Sequence, residues 1–237
     1  MQFNVKAIFV FLILVGIVSA GSYLIIIDAS YSMDDYITSG QTRLEAAKDA
    51  AIDFVSASKN DEFAVMRFSH CEDYQGDYDH SPKKGNIRVI QEFTKDKAAL
   101  NSSIMSIDTG PWTPIAAAIA EGREYVKSER NGKGTIILIS DGEENCGGDP
   151  VEEANKTFRE GIAVINVVSY AIDKADVNAA EQHQKIAVAG GGKYFSANNS
   201  EQLKEVLYKI KQEEQQPLPC LPAFASLFIL GALFLRR

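Results

Sequence analysis

Three segments of the chain are almost continuously apolar, and each is short enough to be a β-strand. They read YLIIID from residue 23, GTIILIS from residue 134 and IAVINVVSYA from residue 162. Such runs are typical of strands that are buried on both faces of a sheet. Three further segments, FAVMRFS, IRVIQEF and KYFSA, also favour strands.

Segments with helical periodicity separate most of these strands. The stretch from 42 to 57 places apolar side chains along one stripe of a helix: Leu44, Ala47, Ala51, Phe54 and Val55. Two more helices are predicted to open at Pro114 and Pro150, since proline is well tolerated in a first turn. NAAEQHQKIAVAGGG is predicted to be a helix that ends in its glycines, and SEQLKEVLYKIKQ is predicted to be the last helix. The alternation predicts an α/β fold: a Rossmann-like, doubly wound and mostly parallel sheet flanked by helices.

The first 20 residues have the pattern of a secretory signal. Lys6 precedes an apolar run that starts at Ala7, and small side chains follow at Ser19 and Ala20. We therefore predict a signal peptide over 1–20 that is cleaved after Ala20. The alternative is an uncleaved anchor helix, which the strand-like YLIIID so close behind it disfavours.

The C-terminus has a second apolar segment. A linker over 211–219 leads into an uncharged run that starts at Cys220 and is followed by Arg236 and Arg237. Prolines, an apolar run and terminal arginines resemble the sorting signals read by archaeosortase- and exosortase-type enzymes, and a simple membrane anchor fits as well. Both interpretations predict an exported domain, held through its C-terminus at the extracellular face of the cell membrane.

Composition narrows the class of partner. The 237 residues are 46% hydrophobic and 24% charged, which suits one globular domain, predicted over 22–210. The formal net charge of −8 argues against a nucleic-acid partner, which would need a basic surface.

The chain has three cysteines, Cys71, Cys146 and Cys220. An exported protein lies where disulfides form, and Cys220 belongs to the C-terminal segment. If a disulfide forms, Cys71 and Cys146 are the natural pair. The spacing does not suit a thiolate zinc site.

Oxygen-bearing side chains follow the predicted strands at what should be one edge of the sheet. LIIIDASYSM brings Asp28, Ser30 and Ser32 after the first strand, WTP brings Thr113 before a helix, and ISDG brings Asp141 after another strand. In open α/β sheets, ligands bind outside the carboxyl ends of the strands. An all-oxygen set suits a hard divalent cation, Mg²⁺ first and Mn²⁺ or Ca²⁺ next.

The same positions resemble a known family. DASYS is similar to the Asp-x-Ser-x-Ser motif of the von Willebrand factor A domain, and Thr113 and Asp141 match the residues that complete its metal-ion-dependent adhesion site. The resemblance covers about residues 22–210. It implies that the three hydroxyls bind the metal directly, that Asp28 and Asp141 bind mainly through water, and that an open position accepts an Asp or Glu carboxylate from a protein ligand.

Other function classes have less support. The sequence has no G-x-S-x-G motif and no phosphate-binding loop, because the GGGK segment is predicted to end a helix. We therefore expect no enzyme activity, and a metal-assisted hydrolase is the weaker alternative. A cytoplasmic adaptor for an ATPase or chelatase complex is the other alternative, against which the signal-like N-terminus argues. Glu143 and Glu144 are expected to be solvated or first-turn acids and not direct metal ligands, and His70 is expected to lie in a loop on the same edge.

Overall fold

A computed structural model of the chain describes residues 20–71, 87–172 and 177–215. Strands and helices alternate along most of this part of the chain, and a short 3-10 helix at Tyr31–Asp34 follows the first strand. The strands are β1 Ser22–Asp28, β2 Glu62–Phe68, β3 Arg88–Thr94, β4 Gly134–Ser140, β5 Ala163–Tyr170 and β6 Gly191–Ala197. The α-helices are α1 Arg43–Ala57, α2 Lys97–Met105, α3 Ile115–Arg130, α4 Pro150–Arg159, α5 Val177–Ala189 and α6 Ser200–Gln215.

The strands form one sheet in the order β3-β2-β1-β4-β5-β6. The sheet is parallel except for β3, which pairs antiparallel with β2. The chain winds outward from β1 in one direction and from β4 in the other, so β1 and β4 flank the point where the strand order reverses. Ligands of doubly wound sheets bind at such a point, beyond the carboxyl ends of the strands.

Both faces of the sheet are covered, as the apolar runs predict. Alternate β1 side chains serve opposite faces: Ile25 and Ile27 pack with α1, α2 and α6, whereas Leu24 and Ile26 pack with α3, α4 and α5. All four of these side chains are fully buried. The predicted fold class, an α/β fold with a mostly parallel sheet flanked by helices, is confirmed.

The helix starts follow from the sequence. Thr42 and Glu45 form a reciprocal capping box, which fixes the first turn of α1. The Asp149 carboxylate accepts hydrogen bonds from two backbone N–H groups of α4, and Pro150 occupies the first turn. These caps determine where α1 and α4 leave the edge of the sheet that carries the candidate site.

The glycine segment after α5 differs from the prediction. Gly190 ends the helix by donating to the Ile186 carbonyl, but Gly191 and Gly192 already belong to β6. Gly191 has a φ of +69°, and a Cβ there would meet the Phe158 ring at 2.2 Å. Glycine is therefore required for the entry into the strand as well as for the end of the helix.

The predicted terminal segments lie largely outside the described residues. The described residues begin at Ala20, the last residue of the proposed signal peptide, and end at Gln215. The rest of the proposed signal peptide and the apolar C-terminal run lie outside them. Helix α6 extends to Gln215, so the segment predicted as a linker begins inside the last helix. Within residues 20–71, 87–172 and 177–215, the helices are too short or too polar to span a bilayer.

Candidate metal centre

Two carboxylates meet where the first and fourth strands end. Asp28 is the last residue of β1, and Asp141 directly follows β4, which pairs with β1 in parallel. Asp28 is fully buried and Asp141 is 5% exposed. The sheet therefore holds two acidic groups side by side in a place that is nearly closed to water.

Asp28 is held by hydrogen bonds and not by a basic side chain. Its Oδ1 accepts from the Ser30 backbone N–H at 2.8 Å, and its Oδ2 accepts from the Ser140 hydroxyl. Among the described residues, the ion pairs do not include Asp28. A buried carboxylate without a counter-charge is costly to ionise, and this makes Asp28 the most distinctive group of the site.

The two serines connect the carboxylates, Ser30 through its backbone N–H to Asp28 and Ser32 through its hydroxyl to Asp141. Ser30 Oγ lies 2.9 Å from Ser32 Oγ, and Ser32 Oγ donates to Asp141 Oδ1 at 2.8 Å. The 3-10 helix that starts at Tyr31 makes this possible, because it turns the chain back immediately after β1. Four of the five predicted ligands are thus joined by a continuous chain of hydrogen bonds.

Burial changes the acidity of both carboxyl groups. The pKa of Asp28 is raised well above its ordinary value, first by loss of solvation and then by the neighbouring Asp141. The pKa of Asp141 is also raised by burial, and hydrogen bonds from Arg43 and Ser32 oppose this. Both anions would be stabilised by a cation placed between them.

Thr113, the fifth predicted ligand, lies on a separate loop, which is hydrogen-bonded to the segment after β1. Gly110 donates its N–H to the Ala29 carbonyl at 2.8 Å, and Ser30 and Gly110 form an isolated parallel β-bridge. Thr113 is 4% exposed, and its hydroxyl lies 3.4 Å from Asn145 Nδ2. The Thr113 hydroxyl is hydrogen-bonded to Asn145 and not to the serines. The loop is therefore held by the segment after β1, through Gly110, and by the segment after β4, through Asn145.

Backbone strain is concentrated at this edge. Trp112, immediately before Thr113, has a φ of +70°, and His70, two residues after the end of β2, has a φ of +74°. The His70 N–H donates to the Pro111 carbonyl, which joins the two strained segments. Left-handed backbone in bulky residues costs of order 1–3 kcal/mol and is found most often at functional sites. This backbone conformation could not be predicted from the sequence, since neither position is glycine.

Arg43 is a charged member of the site that the sequence analysis missed. Its Nη1 donates to Asp141 Oδ2 at 2.7 Å and lies 3.5 Å from Asp35 Oδ2. The capping box at Thr42 places Arg43 in the first turn of α1, facing the carboxylates. The sequence does contain one indication of this role: Arg43 is a basic residue at a helix start, where positive charge is unfavourable unless an acidic group lies nearby.

The loop after β4 forms a clamp around Thr113. Asn145 Oδ1 accepts from the Thr113 N–H at 2.6 Å, and the Asn145 N–H donates to the Thr113 carbonyl at 3.4 Å. The Glu144 carboxylate accepts from the backbone N–H groups of Ala116, in the first turn of α3, and of Cys146, each at 2.7 Å. Together, Glu144 and Asn145 hold the loop that carries Thr113 and the start of α3.

A disulfide ties this clamp to the end of β2. The structure pairs Cys71 with Cys146, with their Cα atoms 5.4 Å apart. On the other side, the buried His183 ring lies 2.8 Å from the Gly142 carbonyl through Nε2 and 2.7 Å from Ser169 Oγ through Nδ1. The loop after Asp141 is therefore anchored to α5 as well as to the disulfide.

The donor chemistry fits a hard divalent cation. In the part of the chain that the structure describes, no group of three or more His, Cys, Asp or Glu side chains is placed to hold a metal ion. The candidate site has only two carboxylates, and its other donors are the hydroxyl oxygens of Ser30, Ser32 and Thr113. Carboxylate and hydroxyl oxygens are the kind of donor that Mg²⁺ and Ca²⁺ prefer.

Comparison with known proteins gives the fold a name. The sequence profile of the von Willebrand factor type A domain matches residues 23–144. An uncharacterized protein of Bacillus subtilis, YwmD, is 28% identical over 204 residues, which cover 80% of this chain and 84% of that protein.

Solved structures show the same architecture at low identity. An aerotolerance-related membrane protein of Bacteroides fragilis superposes with a TM-score of 0.63 at 22% identity, covering 82% of this chain and all of that one. The von Willebrand domain of the type V pili tip protein Mfa5 from Porphyromonas gingivalis gives 0.65 at 13% identity, covering 85% and 98%. The profile match extends from β1 to just beyond Asp141, and thus includes every predicted ligand: the chain belongs to the von Willebrand factor type A domain family.

Proposed function

We propose that this protein is a divalent-cation-dependent binding module that captures a protein ligand through an Asp or Glu carboxylate. The observation that carries the proposal is Asp28, a fully buried carboxylate beside Asp141 with a raised pKa and no basic partner among the described residues. A cation bound there would offset the cost of ionising both acids.

The proposed cation is Mg²⁺, with Mn²⁺ or Ca²⁺ as the alternatives. The hydroxyls of Ser30, Ser32 and Thr113 would bind it, with Asp28 and Asp141 close behind. When bound, it would act as a Lewis acid for a carboxylate oxygen of the partner. Three neutral donors neutralise little of its charge, and Arg43 already neutralises part of the charge on Asp141. The protein would thus leave the cation attractive to an anionic ligand.

Export and tethering belong to the same proposal. The sequence patterns at both termini favour an extracellular domain held at the membrane by its C-terminal segment. Some proteins with this fold are described as pilus adhesins, such as SpaC of Lactobacillus rhamnosus GG. A surface-exposed adhesion module is consistent with those patterns, whereas the ATPase-adaptor alternative needs a cytoplasmic domain.

Location can be tested directly. With an epitope inserted at the exposed Gly147 turn of the full-length protein, we expect antibody to label intact cells. Deletion of residues 217–237 should release the domain into the medium, because the segment proposed as an anchor is lost. If the full-length protein is found in the cytosolic fraction and antibody does not label it on intact cells, the result would favour the adaptor alternative.

The binding mechanism is tested with Thr113→Ala. The probe is an immobilised peptide library with one fixed Asp, compared with the same library carrying Asn. We expect the wild type to bind the Asp library at least about tenfold better in Mg²⁺ than in chelator, and Thr113→Ala to lose most of this binding, because it removes one metal ligand.

Thr135→Ala is the matched control. Thr135 lies at the start of β4, at the opposite end of the strand from the site, where its hydroxyl donates to Glu214. It should bind like the wild type. Equal binding to the Asp and Asn libraries, or binding that survives both chelator and Thr113→Ala, would contradict the proposed mechanism.

A further inference from the structure

A groove of about 580 Å³ lies beside the candidate metal centre. Its walls come from the segment after β1, the first turns of α1 and the loop that leads to Thr113. The apolar side chains of Leu44 and Ile107 line it, and both are almost completely buried. Its volume is within the range of sites that take a small ligand or a few side chains of a partner.

Several residues that line the groove are chain neighbours of the candidate ligands. Tyr31, which lines it, lies between Ser30 and Ser32 in the chain, and Gly110, which also lines it, pairs with Ser30 in the β-bridge. A partner whose carboxylate lies at the metal centre would therefore pass neighbouring residues over the groove. The part of the partner that faces the groove would follow from where its carboxylate binds, because the same two loops form the groove and carry the candidate ligands.

Exposed aromatic side chains border the same area. Tyr31 is 51% exposed and Trp112 is 39% exposed. Trp112 directly precedes Thr113, and Tyr31 lies between Ser30 and Ser32, so each of the two loops that carry candidate ligands also carries one exposed aromatic residue. Large exposed aromatic groups are enriched where proteins bind one another. This distribution favours a protein partner over a free small anion.

Charge indicates which side chain would enter the groove. Three acids line it, Asp34, Glu45 and Asp108, all with exposed side chains. Lys48 also lines the groove, but it is partly buried and donates to the Met105 carbonyl at 3.2 Å. The buried Arg67 lies nearby, where it donates to the Asp108 carbonyl. The mouth of the groove therefore presents more negative than positive charge, above an apolar base.

We propose that the groove is a specificity pocket for a lysine or arginine that lies near the metal-binding carboxylate in the partner. The aliphatic part of such a side chain would pack on Leu44, Ile107 and the Tyr31 ring, and its charged end would lie near Asp34 and Asp108. Lysine and arginine combine an apolar stem with a charged tip, which matches this lining. The preferred ligand is thus a segment that carries an acid and a base close together.

This inference deepens the proposed function and depends on it. The test uses the fixed-Asp peptide library with random residues on both sides of the Asp, bound to the full-length protein in Mg²⁺ and eluted with chelator. Sequencing of the eluted peptides should show Lys and Arg enriched about fivefold at one preferred distance from the Asp. That factor corresponds to the upper end of what an exposed ion pair contributes.

Two variants test the groove itself. Asp34→Asn with Asp108→Asn keeps the side-chain size and should abolish the preference for basic residues. Asp34→Lys with Asp108→Lys should replace it with a preference for Asp and Glu. The control is Glu121→Lys with Glu205→Lys, on exposed positions of α3 and α6, which changes net charge equally and should keep the preference for Lys and Arg. Thermal unfolding verifies that each variant folds.

The outcomes separate the two proposals. Peptides that elute with chelator but show no enrichment of basic residues would overturn the specificity pocket and leave cation-dependent capture intact. The same enrichment in the wild type and in the Asn variant would also overturn it. Retention that does not depend on Mg²⁺ or on the fixed Asp would contradict the proposed function, and the pocket with it.

Discussion

Replacing Asp28 with asparagine is expected to stabilise the metal-free domain and to abolish its stabilisation by Mg²⁺. Asp28 is fully buried beside Asp141, and its pKa is raised because ionisation there is unfavourable. Asparagine has the same shape and can keep hydrogen bonds to Ser30 and Ser140, but it carries no charge. The substitution thus removes the cost of burying an ionised carboxylate in the metal-free protein, and it also removes the negative charge that would attract a cation.

Thermal unfolding in chelator and in Mg²⁺ measures both effects. At a Mg²⁺ concentration 100-fold above its Kd, a single site stabilises the native state by about 2.7 kcal/mol. For a domain of this size, that raises the melting temperature by roughly 5–10 °C. We expect this increase in the wild type and a shift below about 1 °C in Asp28→Asn, which should also melt higher than the wild type in chelator.

Asp53→Asn is the control for the loss of one acid. Asp53 lies on α1, where its exposed carboxylate pairs with Lys204. This variant should respond to Mg²⁺ like the wild type. An unchanged Mg²⁺ response in Asp28→Asn would show that the cation does not bind between Asp28 and Asp141, and the candidate metal centre would then be a purely structural polar cluster.

Arg43 explains how such a site could hold a metal weakly alone and more firmly with a ligand. Its guanidinium lies 2.7 Å from Asp141, so Asp28, Asp141 and Arg43 together carry a single negative charge when both acids are ionised. A divalent cation would then carry an excess positive charge in a nearly dry place. An incoming carboxylate would neutralise it, and metal and ligand would each favour the binding of the other.

The sequence predicted the parts of the fold that depend on local pattern. Runs such as YLIIID and GTIILIS are short and rich in isoleucine, which favours buried strands. Their alternation with amphipathic helices allows few topologies other than a doubly wound sheet. That topology then places Asp28 and Asp141 at adjacent strand ends. Ser30 and Ser32 followed, because they lie within four residues of Asp28.

Groups that act across the chain could not be predicted in the same way. Arg43 contacts Asp141 only because the turn after β1 sends α1 back over the edge of the sheet. Asn145 grips Thr113 through bonds that depend on the path of an irregular loop, which has no periodicity to interpret. The strained φ of Trp112 is likewise set by tertiary contacts, since local preference would place glycine there.

Removing the disulfide with Cys71→Ser and Cys146→Ser is expected to lower the free energy of unfolding by about 2–4 kcal/mol. The two cysteines are 75 residues apart, and a cross-link over so long a loop greatly restricts the unfolded chain. Chemical denaturation of the double variant and of the wild type measures this loss. Free thiols in unreduced wild-type protein, detected by mass spectrometry, would contradict the pairing.

The same variant is expected to weaken ligand capture beyond its effect on stability. Cys146 directly follows Asn145, whose side chain and N–H bond Thr113 at three points. Without the disulfide, the clamp keeps the hydrogen bonds of Glu144 and the contact of Gly142 with His183 but loses its covalent link to the end of β2, so Thr113 would be less firmly placed. We expect binding to the fixed-Asp library to fall several-fold at a temperature where the variant is fully folded. Asn145→Ala, which keeps the disulfide, should show the same loss of binding with a smaller loss of stability. If the double variant unfolds more easily but binds as the wild type does, the disulfide serves the fold alone and the clamp on Thr113 does not need it.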